Sequence, residues 1–342
     1  MAKRALVVSG GGSKGAFAVG VISYLAEQFP QMGFDIFVGT STGALVVPLV
    51  ACNELPLLQQ LYTTVTTNDI ITKGNIADRI LHNDALFDAQ PLANLVKQYI
   101  NDARCQQLFA SPKELYIVTT CLQTCGTVVW STDPPPQPAN YDVVQLTQPK
   151  QLRRAILASA NQPVFMSPIE VLEGANPVRQ YVDGGVREYL GVQVAIDAGA
   201  DEIFAIALAP PQREIVNTRY TKAFSILERT VDIFSQDVGW NDIKLPRVYN
   251  SALRYIAAAQ ERLRSAGVPQ STIDSCFNLP AFEDFSGKKP LTIHHIYPEQ
   301  ALGGGPGGLD FNPALMTAMM QSGRSIARNY MAALPTHPNG NV

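Results

Sequence analysis

A serine between two glycines, in the stretch FVGTSTGALV, is the first group in this sequence equipped to do chemistry. Gly39-Thr40-Ser41-Thr42-Gly43 reads G-x-S-x-G and stands between an apolar run and a helical one. That context suits a nucleophile elbow, where flanking glycines leave room for a strained turn that lifts the hydroxyl above a sheet. A helix starting beneath it favours developing negative charge. Such a serine needs a base. The chain has four histidines, His82, His294, His295 and His337, and the clearest acid is Asp183 in YVDGGV. Gly184 and Gly185 let the backbone turn tightly after a predicted strand and leave the carboxylate accessible. An aspartate before glycines is also an ordinary turn former, so the motif has a purely structural reading beside the chemical one.

The other chemical feature is SGGGSKGAF near the start. Gly10, Gly12 and Gly15 fit the G-x-G-x-x-G of a dinucleotide site, and the same backbone could hold an oxyanion during acyl transfer. A dinucleotide site wants an acid about 20 residues on, at the end of the second strand. Asp35 has that separation but opens the second predicted strand, which puts it at the wrong end of the sheet. A phosphate-binding P-loop fails as well, because Lys14 precedes Gly15 and no Gly-Lys-Ser/Thr comes after it. Amide groups around Gly11, Gly12 and Ser13 can then face an oxygen near Ser41, since both loops come after parallel strands and lie at their carboxyl ends.

Both loops need a sheet. Ala5–Ser9 and Phe34–Gly39 read as strands, with a helix from Lys14 to Phe29 between them, so one βαβ unit is complete by residue 40. Glu114–Leu122, Thr127–Ser131, a segment ending at Tyr181–Val182, Glu202–Leu208 and Leu291–Tyr297 read as further strands. Helices are expected near Leu92–Ile100, near Leu152–Ser159, and over most of Tyr220–Ala266, with Pro246 dividing the last into two. Phe224, Leu227, Val231 and Phe234 mark one apolar face there, and Ala252, Tyr255, Ile256, Ala259 and Leu263 another. STDPPPQPAN reads as an extended surface loop and GGGPGG as a flexible one. Asn312-Pro313 caps a final helix. The alternation of strands and helices predicts an α/β fold with an added helical segment.

Bulk properties narrow the class. In 342 residues, hydrophobic types make up 46% and charged types 16%, which argues for a well-buried globular chain. A net charge of -3 leaves no basic footprint for nucleic acid. Five cysteines make no disulfide framework, and no His/Cys cluster suggests a metal. No targeting segment or long apolar span is visible, so the expectation is a cytoplasmic protein, with export by a signal-less route left open.

Taken in order, GGGSKG, GTSTG, ILASANQPVFMSP and DGG resemble the patatin-like phospholipases, and AIDAGADEIFAI resembles the stretch that comes after DGG in that family. The resemblance covers roughly the first 210 residues; LDFNPALMTAMMQSGRSIA matches more weakly, and Pro211–Pro290 matches nothing. It implies a three-layer α/β/α core with a mainly parallel sheet over residues 1–210. Beyond that core, the expectation is a helical insertion or cap over 211–290, a strand and helix returning to the core over 291–333, and a flexible tail over 334–342. The resemblance implies hydrolysis of lipid acyl esters, as by a phospholipase A or lysophospholipase, through an acyl-enzyme on Ser41 with Asp183 as the base of a dyad. Gly10, Gly11, Gly12, Ser13, Lys14 and Gly15 correspond to the oxyanion loop, and Gly39, Gly43, Gly184 and Gly185 are motif glycines. No metal and no cofactor is implied. The partner is a phospholipid or other acyl lipid, met as a monomer, in a micelle or in transient contact with a membrane surface; the oligomeric state is left open. Lys14 either favours an anionic head group or supports its loop. After DGG the family often has Asn-Pro, where this chain has Tyr189-Leu190-Gly191, which leaves the pocket details open. An acyl-binding surface is expected from Ile70–Ile80 and Tyr220–Ala266. Two further readings stand beside this one: a Ser-Asp-His triad using His294 or His295, and a non-catalytic nucleotide- or lipid-binding protein.

Overall fold

The computed structural model describes residues 2–74, 79, 82–133, 140–212, 215, 217, 219–282, 285 and 288–334. Ten strands occur among them: β1 (Arg4–Val8), β2 (Ile36–Thr40), β3 (Thr72–Lys73), β4 (Phe87–Asp88), β5 (Glu114–Cys121), β6 (Thr127–Ser131), β7 (Asp142–Gln145), β8 (Tyr181–Asp183), β9 (Glu202–Ile206) and β10 (Thr292–Ile296). Eight form one sheet in the order β10-β9-β1-β2-β5-β6-β7, with β8 also paired to β5. The five strands from β10 to β5 are parallel, and β6 and β8 run antiparallel to β5. β3 and β4 make a separate two-stranded pair.

Alternation along the buried strands divides the core into two. Leu6, Val8, Phe37, Leu115 and Ile117 enter one hydrophobic cluster, and Ala5, Val7, Ile36, Val38, Tyr116 and Val118 enter the other. Successive side chains of a strand point to opposite faces, so both faces must be covered. The larger cluster takes in α1 (Gly15–Gln28), α2 (Thr42–Ala51), α3 (Leu55–Thr64), α4 (Gln90–Tyr99), α5 (Pro149–Ala160) and, late in the chain, the helix Pro313–Ala332. The smaller one is covered by α6 (Val192–Asp197) and by Ile243 of α7 (Ala223–Ser265). The result is an α/β/α sandwich.

The late elements return to the core. β10 pairs with β9. The last helix, α8 (Pro313–Ala332), starts at Asn312, whose side chain accepts from the Ala314 and Leu315 N–H groups. It lies backbone to backbone on α1, so a Cβ added at Gly20 would come within 2.0 Å of Met320 O and one at Gly323 within 2.1 Å of Phe17 O.

Three expectations change. Pro246 does not divide the segment after Pro211: α7 runs 43 residues straight through it. Contacts on both sides hold the helix despite the lost amide. Asp242 accepts from the Tyr189 and Leu190 N–H groups, and the Asn250 amide both donates to Leu291 O and accepts from Leu291 N–H, each at 2.7 Å. The apolar faces expected there are split, since Leu227 and Val231 pack on the core while Phe234 is 65% and Tyr255 78% exposed. A helix of this length, about 65 Å by its rise per residue, outruns the sheet that it crosses. Within Ile70–Ile80, Ile70 ends a one-turn helix and Thr72–Lys73 is a strand; residues 75–78 and 80 lie outside the described residues. Most of the proline-rich loop (134–139) and the tail (335–342) lie outside them too.

Candidate active site

The sheet topology brings Ser41 and Asp183 together. β2 pairs with the first part of β5 and ends at Thr40 opposite Val118. β8 takes over the same edge of β5 one residue later, with Asp183 opposite Thr119. Ser41 and Asp183 thus meet end to end beside one strand, although 142 positions separate them in sequence.

Ser41 sits at φ 56° and ψ −122°, between β2 and α2. A non-glycine residue rarely adopts this conformation, which is stored strain of the kind found at reactive positions. Two neighbours hold it. A Cβ at Gly43 would come within 2.1 Å of Val8 O, so only glycine lets α2 start this close to β1. The Ser41 N–H donates to Ser159 Oγ at 2.9 Å, and that hydroxyl donates to Val118 O at 2.6 Å, which ties the elbow to β5. On the far side, Thr42 Oγ1 shares a 2.6 Å hydrogen bond with the Tyr62 hydroxyl.

Asp183 is 6% exposed. Its Oδ1 accepts from Gly185 N–H at 2.7 Å, and the Ser41 hydroxyl is near enough to favour its charged form. Burial outweighs both contacts and pushes its pKa up to about 6. Asp183 N–H donates to Asn161 O at 2.9 Å. The end of α5 therefore supports both groups, Ser159 in its last turn under the serine and Asn161 just past it under the acid.

The glycine loop closes over this pair. A Cβ at Gly10 would lie 3.1 Å from Ser41 Cβ. Within Gly10–Gly15 the backbone amides are not equivalent. Gly10 N–H donates to Tyr189 O at 3.3 Å, Lys14 N–H to Gly11 O at 3.2 Å, and Gly15 N–H back into the turn. The N–H groups of Gly11, Gly12 and Ser13 meet no acceptor among the described residues. Gly11 lines the same chamber as Ser41 and Asp183. Of the six loop residues expected at the oxyanion, the structure leaves these three as free donors.

GGGPGG is a wall of the site rather than a free loop. Gly12 has φ +57°, and a Cβ there would come within 2.2 Å of Gly308 O. Gly307 N–H donates to Asp232 Oδ1 at 3.0 Å, and Gly307 O accepts from Gln162 Nε2 at 2.6 Å. The chamber, a small one of about 60 Å³, is bounded by Gln162, Pro163, Val186 and Tyr189 and by Val231, Asp232 and Ser235 of α7. Tyr189 fills the place where the resemblance breaks down: burial and nearby carboxylates push its phenol pKa up, so it stays neutral.

No histidine lines the chamber among the described residues. His294 contacts Glu202 at 2.9 Å and the Tyr330 hydroxyl at 3.3 Å, on the far strands of the sheet. His295 is buried behind Tyr189, with its pKa lowered to about 3 by burial and Arg247. Asp35 accepts from Arg4 N–H at the foot of β1, opposite the glycine loop, so the nucleotide reading lacks its ribose acid. No group of metal-ligating side chains occurs among the described residues. Among them also, no helix is long and apolar enough to cross a membrane. Residues that sequence reasoning missed are Ser159, Asn161, Gln162 and Asp232; the first three lie inside the motif ILASANQPVFMSP, and Asp232 carries no signal of its own.

Known proteins resemble this chain to different degrees. The solved structure of VipD from Legionella pneumophila superposes with a TM-score of 0.43 at 12% identity, covering 97% of this chain and 67% of that one. A protein of Escherichia coli strain K12, described as uncharacterized protein YjjU, is 30% identical over 216 residues. That match covers 61% of this chain and 52% of the relative, so the chain spans about half of the relative's length. The family model for patatin-like phospholipases matches residues 6–196, over half of the chain and all four motifs, and the chain belongs to the patatin-like phospholipase family.

Proposed function

We propose that the protein hydrolyses carboxylic esters of lipids through an acyl-enzyme on Ser41. The observation that carries this reading is a strained serine and a buried carboxylate brought end to end beside one strand. Ser41 Oγ attacks the ester carbonyl while its proton passes to Asp183. The N–H of Gly11, with Gly12 and Ser13 beside it, receives the oxyanion; one such donor is worth about 3 kcal/mol in the transition state. Asp183 then returns the proton to the departing alkoxide. Water attacks the acyl-enzyme with Asp183 again as base, and the fatty acid leaves. A free aspartate is a weak base at neutral pH; burial makes this one stronger. Residues 211–290 act as a cap over a core formed by 1–210 and 291–333.

Turnover of a p-nitrophenyl acyl ester tests the proposal. Wild type is expected to hydrolyse it, with the activity lost in Ser41→Ala and in Asp183→Asn. A fluorophosphonate probe should label wild type and not Ser41→Ala. Equal turnover by wild type and Ser41→Ala would sink the reading.

A further inference from the structure

The long helix α7 passes over the dyad and faces two cavities that open from it in opposite directions. Toward its middle, past Tyr189 and Ser235, lies an apolar pocket lined by Pro210, Pro211, Trp240 and Ile243. Toward its start, past Lys14 and Asp232, lies a larger cavity of about 420 Å³ that is charged. Ser225, Glu228, Arg229 and Asp232 of α7 line it, opposite Lys14 and the loop Ala301–Pro306. Spacings of three and four residues put these four side chains on one face of the helix, and all four are half-buried. Lys14 and Asp232 border both this cavity and the dyad chamber, so the two adjoin.

We propose that this cavity is the head-group subsite and that it selects lipids whose phosphodiester carries an ammonium group. Lys14 and Arg229 face the phosphate, and Glu228 and Asp232 face the ammonium. This rests on the ester-hydrolase reading above. In a glycerophospholipid only a few covalent bonds separate the ester carbonyl from the phosphorus, which matches a cavity adjoining the serine. Glu228 and Asp232 are one helical turn apart, and burial together with the Asp232 charge disfavours ionisation of Glu228, which a cation between them relieves. Asp232 is fixed by Gly307 N–H, so one end of the subsite is rigid. A head group bearing only negative charge would meet both carboxylates unscreened.

The test compares phosphatidylcholine, phosphatidylglycerol and a p-nitrophenyl ester of the same chain length, each in the same detergent. For every variant, kcat/KM on each phospholipid is divided by kcat/KM on the nitrophenyl ester. Wild type should favour phosphatidylcholine over phosphatidylglycerol. Arg229→Gln should lower both phospholipid ratios tenfold or more. Glu228→Gln should lower the phosphatidylcholine ratio and raise the phosphatidylglycerol one. In a Ser41→Ala background, calorimetric titration with glycerophosphocholine should show binding that Arg229→Gln weakens. Unchanged ratios in both variants, with ester turnover intact, would overturn the subsite and leave the hydrolase standing. Wild type inert on every ester would overturn the hydrolase, and glycerophosphocholine binding would then decide the subsite alone.

Discussion

In the mechanism proposed above, Asp183 would be a base where burial disfavours its charge, and that conflict has two measurable consequences. Its pKa is raised to about 6, so the reactive, ionised form is lost as pH falls through that value. Esterase kcat/KM should rise tenfold per pH unit below about pH 6 and level off above pH 7; a profile flat from pH 5 to 8 would rule out Asp183 as the base. The same shift has an opposite effect on folding. The folded chain holds this proton more tightly than the unfolded chain, so Asp183 weakens the fold as pH rises from near 4 through about 6. From a reference value of 3.8, the shift corresponds to about 3 kcal/mol above pH 7. Asp183→Asn should therefore denature later than wild type at pH 8 and at nearly the same midpoint at pH 4. An equal or lower midpoint at pH 8 would remove the argument. Ser41 and Asp183 stand out in the sequence because each sits in a local pattern, G-x-S-x-G and D-G-G, that the proposed chemistry would need. Their supports do not, because Ser159 holds the Ser41 N–H across 118 positions and Asp232 reaches Gly307 across 75.

The elements split along the same line. Strands β1, β2, β5 and β9 are legible because burial on both faces leaves largely apolar runs. The helix α7 is legible as helical but not as continuous, since Pro246 is a breaker in isolation. What overrides it is tertiary: Asp242 and Asn250 tie the helix to residues 189–190 and 291 on either side of the proline. Pro246→Ala restores the missing amide without touching those ties, so it should stabilise the protein by about 1–3 kcal/mol. Chemical denaturation reads this directly. A destabilised variant would mean that α7 needs the proline's shape.

At the scale of the whole molecule, the last helix is as much a part of the sheet's cover as the first. Gly323 touches Phe17 O and Gly20 touches Met320 O, so α1 and α8 approach closely with no side chain between them. Gly323→Leu forces them apart at a point remote from Ser41. It should lower stability by about 3 kcal/mol and reduce activity in proportion to the unfolded fraction, with KM unchanged. A normal denaturation curve would show that the contact is dispensable. Neither the helix pair nor the wall at 303–308 could be foreseen from composition, because small residues announce a turn and a tight contact alike. That wall sets an order of events in the making of the protein. Gly308 rests on Gly12, and Gly307 is pinned to Gln162 and Asp232. A nascent chain thus has its serine and its aspartate long before the ribosome has delivered the segment that seals them in. Until residue 308 has emerged, the growing polypeptide lacks one wall of the chamber around Ser41 and Asp183.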